Sequence, residues 1–205
     1  MHIAIPLYPR FTALDAVGPY TVLAFAPDTT VTFVAGAAGP VPDDIGSLTL
    51  AATATYAQLP RPDLIIVPGG PGTVDAMRDE ELLDWLRAAR PRWMTSVCSG
   101  SFVLAAAGLL QGRRATSHWA VRDQLAGFGA RPVEERVVVD GDVITAAGVS
   151  AGIDMALTLL ASARDAETAQ VVQLAIEYDP DPPFAAGSPR SATPNRTERA
   201  LALIR

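Results

Sequence analysis

The chain has 205 residues, a net charge of -6, a pI near 4.8 and 49% hydrophobic residues, which suits one soluble domain with a large core and disfavours nucleic acid or an anionic membrane as partner. All sixteen basic residues are arginine, so Schiff-base lysine chemistry and a phosphate-loop lysine are excluded. A single cysteine, Cys98, excludes an internal disulfide and any cysteine-based zinc site, and only His2 and His118 offer imidazole.

Met1 to Pro6 begins directly as a strand with no basic leader, and no apolar run approaches the roughly 20 residues of a membrane span. The expectation is a cytoplasmic protein. In chain order, 2–7 reads as the first strand and 13–26 as a helix interrupted at Gly18-Pro19. A second strand follows at 31–35, then a Gly-, Pro- and Thr-rich stretch with short strands around Leu48-Thr49-Leu50. Asp63 to Val67 is a continuous apolar run, as expected of a strand buried on both faces, and it stops abruptly at Pro68-Gly69-Gly70-Pro71-Gly72. A helix over 80–89 precedes the strand 94–97 that leads into Cys98, and a helix over 99–108 leaves it.

A further helix is expected over 118–127, with Ser117 as its N-cap. Residues 137–145 read as a hairpin turning at Asp140-Gly141, and helices follow over 150–163 and 166–177. From Asp179 the chain becomes Pro-, Gly- and Ser-rich and ends in a short helical stretch near 199–205. The organisation expected is one domain over 1–180 and a C-terminal tail over 181–205 packed on the domain or on a dimer partner. Strands alternating with helices indicate a three-layer sandwich of the flavodoxin-like kind with a mostly parallel sheet.

The chemistry collects where strands end. Cys98 lies between a short apolar strand and Ser99-Gly100-Ser101, the form of a sharp strand-to-helix elbow. A thiol at a helix N-terminus is expected to be more acidic than a free one. Asp15 reads two ways: as an acid at a helix start, or as a desolvated carboxyl beside Cys98 with its pKa raised. Gly69 and Gly70 form either a plain tight turn or, with the N–H of Ser99, a backbone pocket for a developing anion. His118 is a helix-start residue or a site imidazole.

Leu14-Asp15-Ala16-Val17-Gly18-Pro19, Ile66-Val67-Pro68-Gly69-Gly70, Val97-Cys98-Ser99-Gly100, Thr116-Ser117-His118-Trp119 and Gly148-Val149-Ser150-Ala151-Gly152 together resemble the ThiJ/PfpI superfamily, related to class I glutamine amidotransferases. Within it, 105–116 and 174–184 are similar to the isocyanide hydratases. That resemblance implies Cys98 as nucleophile, Asp15 as acid and base, and Ser99 beside them, in a position where the hydratases carry threonine. Gly69, Gly70, His118, Trp119 and Val149 would form the substrate and oxyanion pocket, Val149 standing where the hydratases carry isoleucine. The implied reaction is hydration of an isocyanide to an N-substituted formamide through a covalent thioimidate, with no metal or organic cofactor. The partners implied are a small-molecule substrate, water and a second subunit of a homodimer.

Three other readings compete. A Cys-His hydrolase of this superfamily would carry histidine where Ser99 stands, and glyoxalase or deglycase branches carry glutamate at Asp15. Ligand-sensing domains of AraC-type regulators share the Cys-x-Gly and Thr-His-Trp motifs, but would be expected to continue into a helix-turn-helix module.

Overall fold

β1 (His2–Pro6) and β6 (Leu64–Val67) are apolar runs with no polar alternation, and both are buried almost throughout. Such strands require cover on two faces, and a computed structural model, which describes residues 1–204, provides it. The elements in order are β1, α1 (Ala13–Ala24), β2 (Thr30–Ala35), β3 (Gly39–Pro42), β4 (Thr49–Ala52), β5 (Ala54–Thr55), β6, α2 (Thr73–Ala76) and α3 (Glu80–Ala89). They continue with β7 (Trp93–Val97), α4 (Gly100–Ala106), β8 (Arg114–Ala115), β9 (Arg131–Pro132), β10 (Val137–Asp140) and β11 (Val143–Ala146). The last helices are α5 (Ala151–Ala163), α6 (Ala166–Ala175) and α7 (Pro194–Leu203).

The main sheet runs β10-β11-β7-β6-β1-β2-β5, parallel except for the β10–β11 hairpin. Setting the edge strands β5 and β10 aside, the remaining five stand in the spatial order 2-1-3-4-5. This is the flavodoxin-like winding, and its order reverses between β1 and β6, where the crevice beyond the strand ends opens. Helices α1, α5 and α6 cover one face, and α2, α3 and α4 the other. Among the described residues no helix is long and apolar enough to cross a membrane.

Local chemistry accounts for most element boundaries. Asp79 caps α3 by accepting from the Leu82 N–H, and Glu80 and Glu81 face the positive end of its dipole. Leu82, Leu83, Trp85, Leu86 and Ala89 form its buried stripe, and Arg90 ends it in a left-handed conformation. The hairpin between β10 and β11 turns at Gly141, with φ 64°.

Three expectations fail here for identifiable reasons. Gly18-Pro19 does not interrupt α1, which runs through both residues. Instead they pack against α5: a Cβ on Gly18 would lie 3.2 Å from Ile153, and one on Gly152 would lie 3.1 Å from the Pro19 ring. The missing side chains let the two helices approach, which offsets the cost of a proline inside α1. The helix expected over 118–127 is absent; a 3-10 helix covers Arg122–Phe128, and His118 lies in the irregular segment before it. Ser117 does not cap it, because its hydroxyl turns inward and donates to the Cys98 carbonyl at 2.9 Å. The tail helix starts five residues earlier than the 199–205 stretch expected, at Pro194, with Thr193 as N-cap. Arg205, the last residue of that stretch, lies outside the described residues.

Candidate active site

Three strand ends meet at the crevice: β1 leads toward Asp15 in α1, β6 into Gly69-Gly70, and β7 into Cys98. Cys98 adopts φ 57°, a left-handed conformation that a non-glycine residue holds only at a cost of about 1–3 kcal/mol. The surrounding hydrogen bonds over-determine it. Its N–H donates to Ala146 O at 3.1 Å and Ala147 O at 2.9 Å, while its carbonyl accepts from Ser101 Oγ at 3.2 Å and Ser117 Oγ at 2.9 Å. The elbow expected from the sequence is therefore present, with two serine hydroxyls fixing its peptide.

The elbow also depends on close backbone approach. A Cβ on Gly100 would stand 2.2 Å from Val67 O, and one on Gly69 would stand 2.5 Å from Ser99 N and 2.9 Å from Cys98 Cβ. Gly100→Ala is expected to cost at least about 3 kcal/mol, since the obstruction is strand backbone that cannot move aside. A thermal melt of that variant checks it; a midpoint equal to wild type would contradict the packing described.

Asp15 is fully buried in the first turn of α1. One oxygen, Oδ2, accepts from the Gly69 N–H at 2.8 Å. The other, Oδ1, has no hydrogen-bond partner, and the Cys98 side chain lies close enough to interact with the carboxyl. The loop from β1 is pinned against the loop from β6 by Thr12 N to Gly69 O at 2.8 Å and Gly72 N to Arg10 O at 3.1 Å. Tyr8, absent from the sequence expectations, adds to this by donating its buried hydroxyl to Pro68 O. Asp15 and Cys98 thus face each other across a rigid seam.

Burial dominates their electrostatics. Desolvation raises the Asp15 carboxyl to about 7, against smaller lowering by the Gly69 N–H and the Cys98 side chain. Desolvation, followed by the charge of Asp15, pushes the Cys98 thiol up to about 12. The backbone N–H groups of Ser99 and Val149 pull in the other direction. The acidified thiol expected from the helix terminus is therefore corrected: the dipole of a seven-residue helix does not overcome a buried site with a carboxylate beside the sulfur. Because the two groups are coupled, they act as a pair that exchanges protons.

The backbone donors are allotted differently from the sequence expectation. Gly69 gives its N–H to Asp15, and Gly70 gives its N–H to Ser99 Oγ at 2.9 Å. Neither N–H is free to form an anion pocket. The N–H groups facing the sulfur belong to Ser99 and Val149. Val149 holds φ 37°, unfavourable for a β-branched residue, and its peptide N–H reaches the Cys98 sulfur. Ser99 Oγ is fixed further by Thr73 Oγ1 at 2.9 Å, another residue the sequence reading did not single out.

Cys98 opens on a cleft of about 680 Å3 that Ser99, Gly70, Phe102, His118 and Val149 help to line. Trp119 does not line it. It faces a second, more polar cavity of about 350 Å3, and His118 and Val149 stand in the wall between the two. His118 Nδ1 accepts the Ala120 N–H at 3.3 Å, and desolvation lowers the imidazole pKa, so it stays neutral at pH 7. Its ring packs against Gly148, where a Cβ would approach within 2.5 Å. Among the described residues no group of three or more His, Cys, Asp or Glu side chains is arranged to hold a metal ion.

The chain is similar to proteins of known kind. The model of the DJ-1/PfpI family matches residues 1–162. The isonitrile hydratase of Pseudomonas putida is 50% identical over 194 residues, 94% of this chain and 85% of that protein. A HTH-type transcriptional regulator of Pseudomonas aeruginosa is 38% identical over 115 residues, 54% of this chain but only 34% of the regulator. Among solved structures, a ThiJ/PfpI family protein from Pseudomonas syringae superposes with a TM-score of 0.94 at 44% identity, covering 99% of this chain and 86% of that one.

Proposed function

Because the chain belongs to the DJ-1/PfpI family, we propose that it is an isocyanide hydratase in which Cys98 is the nucleophile and Asp15 the acid and base. The observation that carries this reading is the pairing of Cys98 with a buried carboxyl whose second oxygen is left without a hydrogen-bond donor. A cysteine hydrolase needs a base that activates water and protonates an amine, for which imidazole is suited. An isocyanide instead needs a proton delivered to the same carbon the nucleophile attacks, and a carboxyl on the sulfur side of that carbon suits this. Similarity to an isonitrile hydratase over nearly the whole chain supports the same substrate class.

The one-proton state of the pair reacts as thiolate and carboxylic acid. Sulfur bonds to the terminal carbon of R–N≡C while the Asp15 proton passes to that carbon, giving Cys98–S–CH=N–R and an Asp15 carboxylate. Water then adds: hydroxide bonds to carbon, and its proton goes to Asp15 and on to nitrogen. The resulting adduct collapses as the C–S bond breaks and the hydroxyl proton moves to Asp15. Formamide leaves, and thiolate and carboxylic acid are restored. The N–H groups of Ser99 and Val149 hold the sulfur charge whenever it is present. Ser99 Oγ, held by Gly70 and Thr73, is placed to position water or substrate beside the sulfur.

Turnover of an alkyl isocyanide, followed as loss of the N≡C stretch in the infrared with appearance of the formamide carbonyl, tests the reading. Sustained, stoichiometric conversion is expected. Binding without conversion would place the protein with ligand sensors instead. A homodimer is part of the proposal, and light scattering at about twice the chain mass is the expected result.

A further inference from the structure

Leu203 and Ile204, which follow Ala202 in the C-terminal helical segment, form part of the Cys98 cleft. Arg190 ties the tail to the domain through Nε to Glu134 Oε1 at 2.9 Å and its terminal nitrogen to Glu134 O at 3.0 Å. Thr193 then caps α7. Thr197, Ala200 and Leu201 lie on its half-buried side, and the same helical stripe continues to Ile204. Leu203 and Ile204 line the cleft, yet they are 86% and 48% exposed. Two large apolar side chains so exposed at the end of this helix gain little from the protein core where they stand.

The rest of the cleft indicates what they would cover. Phe102 and Phe128 meet edge to face at 5.6 Å, and Val121 and Met77 extend the same apolar lining. The groups that serve the reaction, Cys98 and Ser99, occupy one part of a space of about 680 Å3. An isocyano group has two heavy atoms, whereas a cleft of this size matches a whole drug-sized ligand. The remaining space is therefore room for the group on nitrogen. Arg10, Asp44 and Gln124 are polar residues at the cleft, and Asp44 is already engaged by Thr12 Oγ1 at 2.6 Å.

We infer that Leu203 and Ile204 of the C-terminal segment are specificity determinants that, with Phe102 and Phe128, select isocyanides bearing a bulky apolar group on nitrogen. This rests on the hydratase reading of Cys98 and Asp15. The binding gain comes from apolar area that a large substituent buries against the two side chains and a small substituent does not reach.

The test compares kcat/KM for 2-naphthyl isocyanide and methyl isocyanide in wild type and in the Leu203→Ala/Ile204→Ala double variant. Neither side chain is in the core, so the variant is expected to keep the wild-type melting temperature and the wild-type mass by light scattering. The expected result is a loss of about tenfold or more for the naphthyl substrate, with methyl isocyanide changed by less than about twofold. Equal losses for both substrates, no loss for either, or a change in oligomeric mass would overturn the inference while leaving the hydratase reading standing. Failure of the wild-type protein to consume either isocyanide would overturn the hydratase reading itself.

Discussion

Replacing Cys98 with alanine is expected to lower isocyanide hydration by about 10^4-fold or more, because every later step proceeds from a carbon bonded to sulfur. The fold should survive. Removing the sulfur takes away the smallest part of a residue whose backbone is clamped by Ala146, Ala147, Ser101 and Ser117. The Asp15 carboxyl keeps its Gly69 N–H donor, and its Oδ1 is without a hydrogen-bond partner in either protein. Purified Cys98→Ala should therefore melt cooperatively, bind the isocyanide and release no formamide in an infrared assay. Activity within tenfold of wild type would contradict the covalent account.

Asp15→Asn has the second large effect, and it acts on activity and stability in opposite directions. An amide neither delivers nor takes a proton, so kcat/KM should fall by about 10^2 to 10^4-fold. Stability at pH 8 should rise. The folded-state pKa of Asp15 is raised to about 7 from an ordinary value of 3.8. The native protein therefore holds a proton that the unfolded chain has lost, and that advantage is full below about pH 4 and gone above about pH 7. Wild-type stability should decline across that window, and Asp15→Asn should lack the decline. The gain at pH 8 is on the order of a few kcal/mol, set by the cost of a buried charge. Melting temperatures from pH 4 to 8 check it; parallel curves for the two proteins would contradict the burial argument.

The pH dependence of activity comes from counting protons on the pair. Below about pH 7, Cys98 and Asp15 hold two protons and there is no thiolate to attack. Above it they hold one, which is shared between thiol-carboxylate and thiolate-acid forms. Wild-type kcat/KM should rise through a single ionisation near pH 7 and stay level until the thiol proton is lost far above it. A profile that instead falls above pH 7 would mean that the doubly protonated pair is the reactive form.

Much of this site could be read from residue order. The unbroken apolar run at β6 marked a central strand, and a parallel sheet brings the segments leaving its strands to one edge. Asp15, Gly69 and Cys98 meet for that reason. The use of each backbone N–H could not be read in the same way. A Gly-Gly turn after a buried strand looks the same whether its donors face a ligand or a neighbouring loop. Here they are used by Asp15 and Ser99. Val149 supplies the missing donor from a left-handed conformation that valine disfavours, so propensity points away from it. The segment after Ser117 has helical composition, but the Ser117 hydroxyl is more useful to the Cys98 carbonyl than to a helix start. Tyr8 and Thr73 carry no motif; a tyrosine just beyond the first strand was the only signal, and it is a weak one.

The most direct test of covalent catalysis is a single-turnover reaction of wild-type enzyme with isocyanide carrying 13C at the terminal carbon, quenched in acid and analysed by intact mass and peptide mapping. A transient adduct equal to the mass of the whole isocyanide is predicted, located on the peptide containing Cys98. It should decay at the rate at which labelled formamide appears, and it should be missing in Cys98→Ala. Labelled formamide formed at the wild-type rate by Cys98→Ala, with no adduct on either protein, would contradict the claim that this cysteine bonds the substrate carbon.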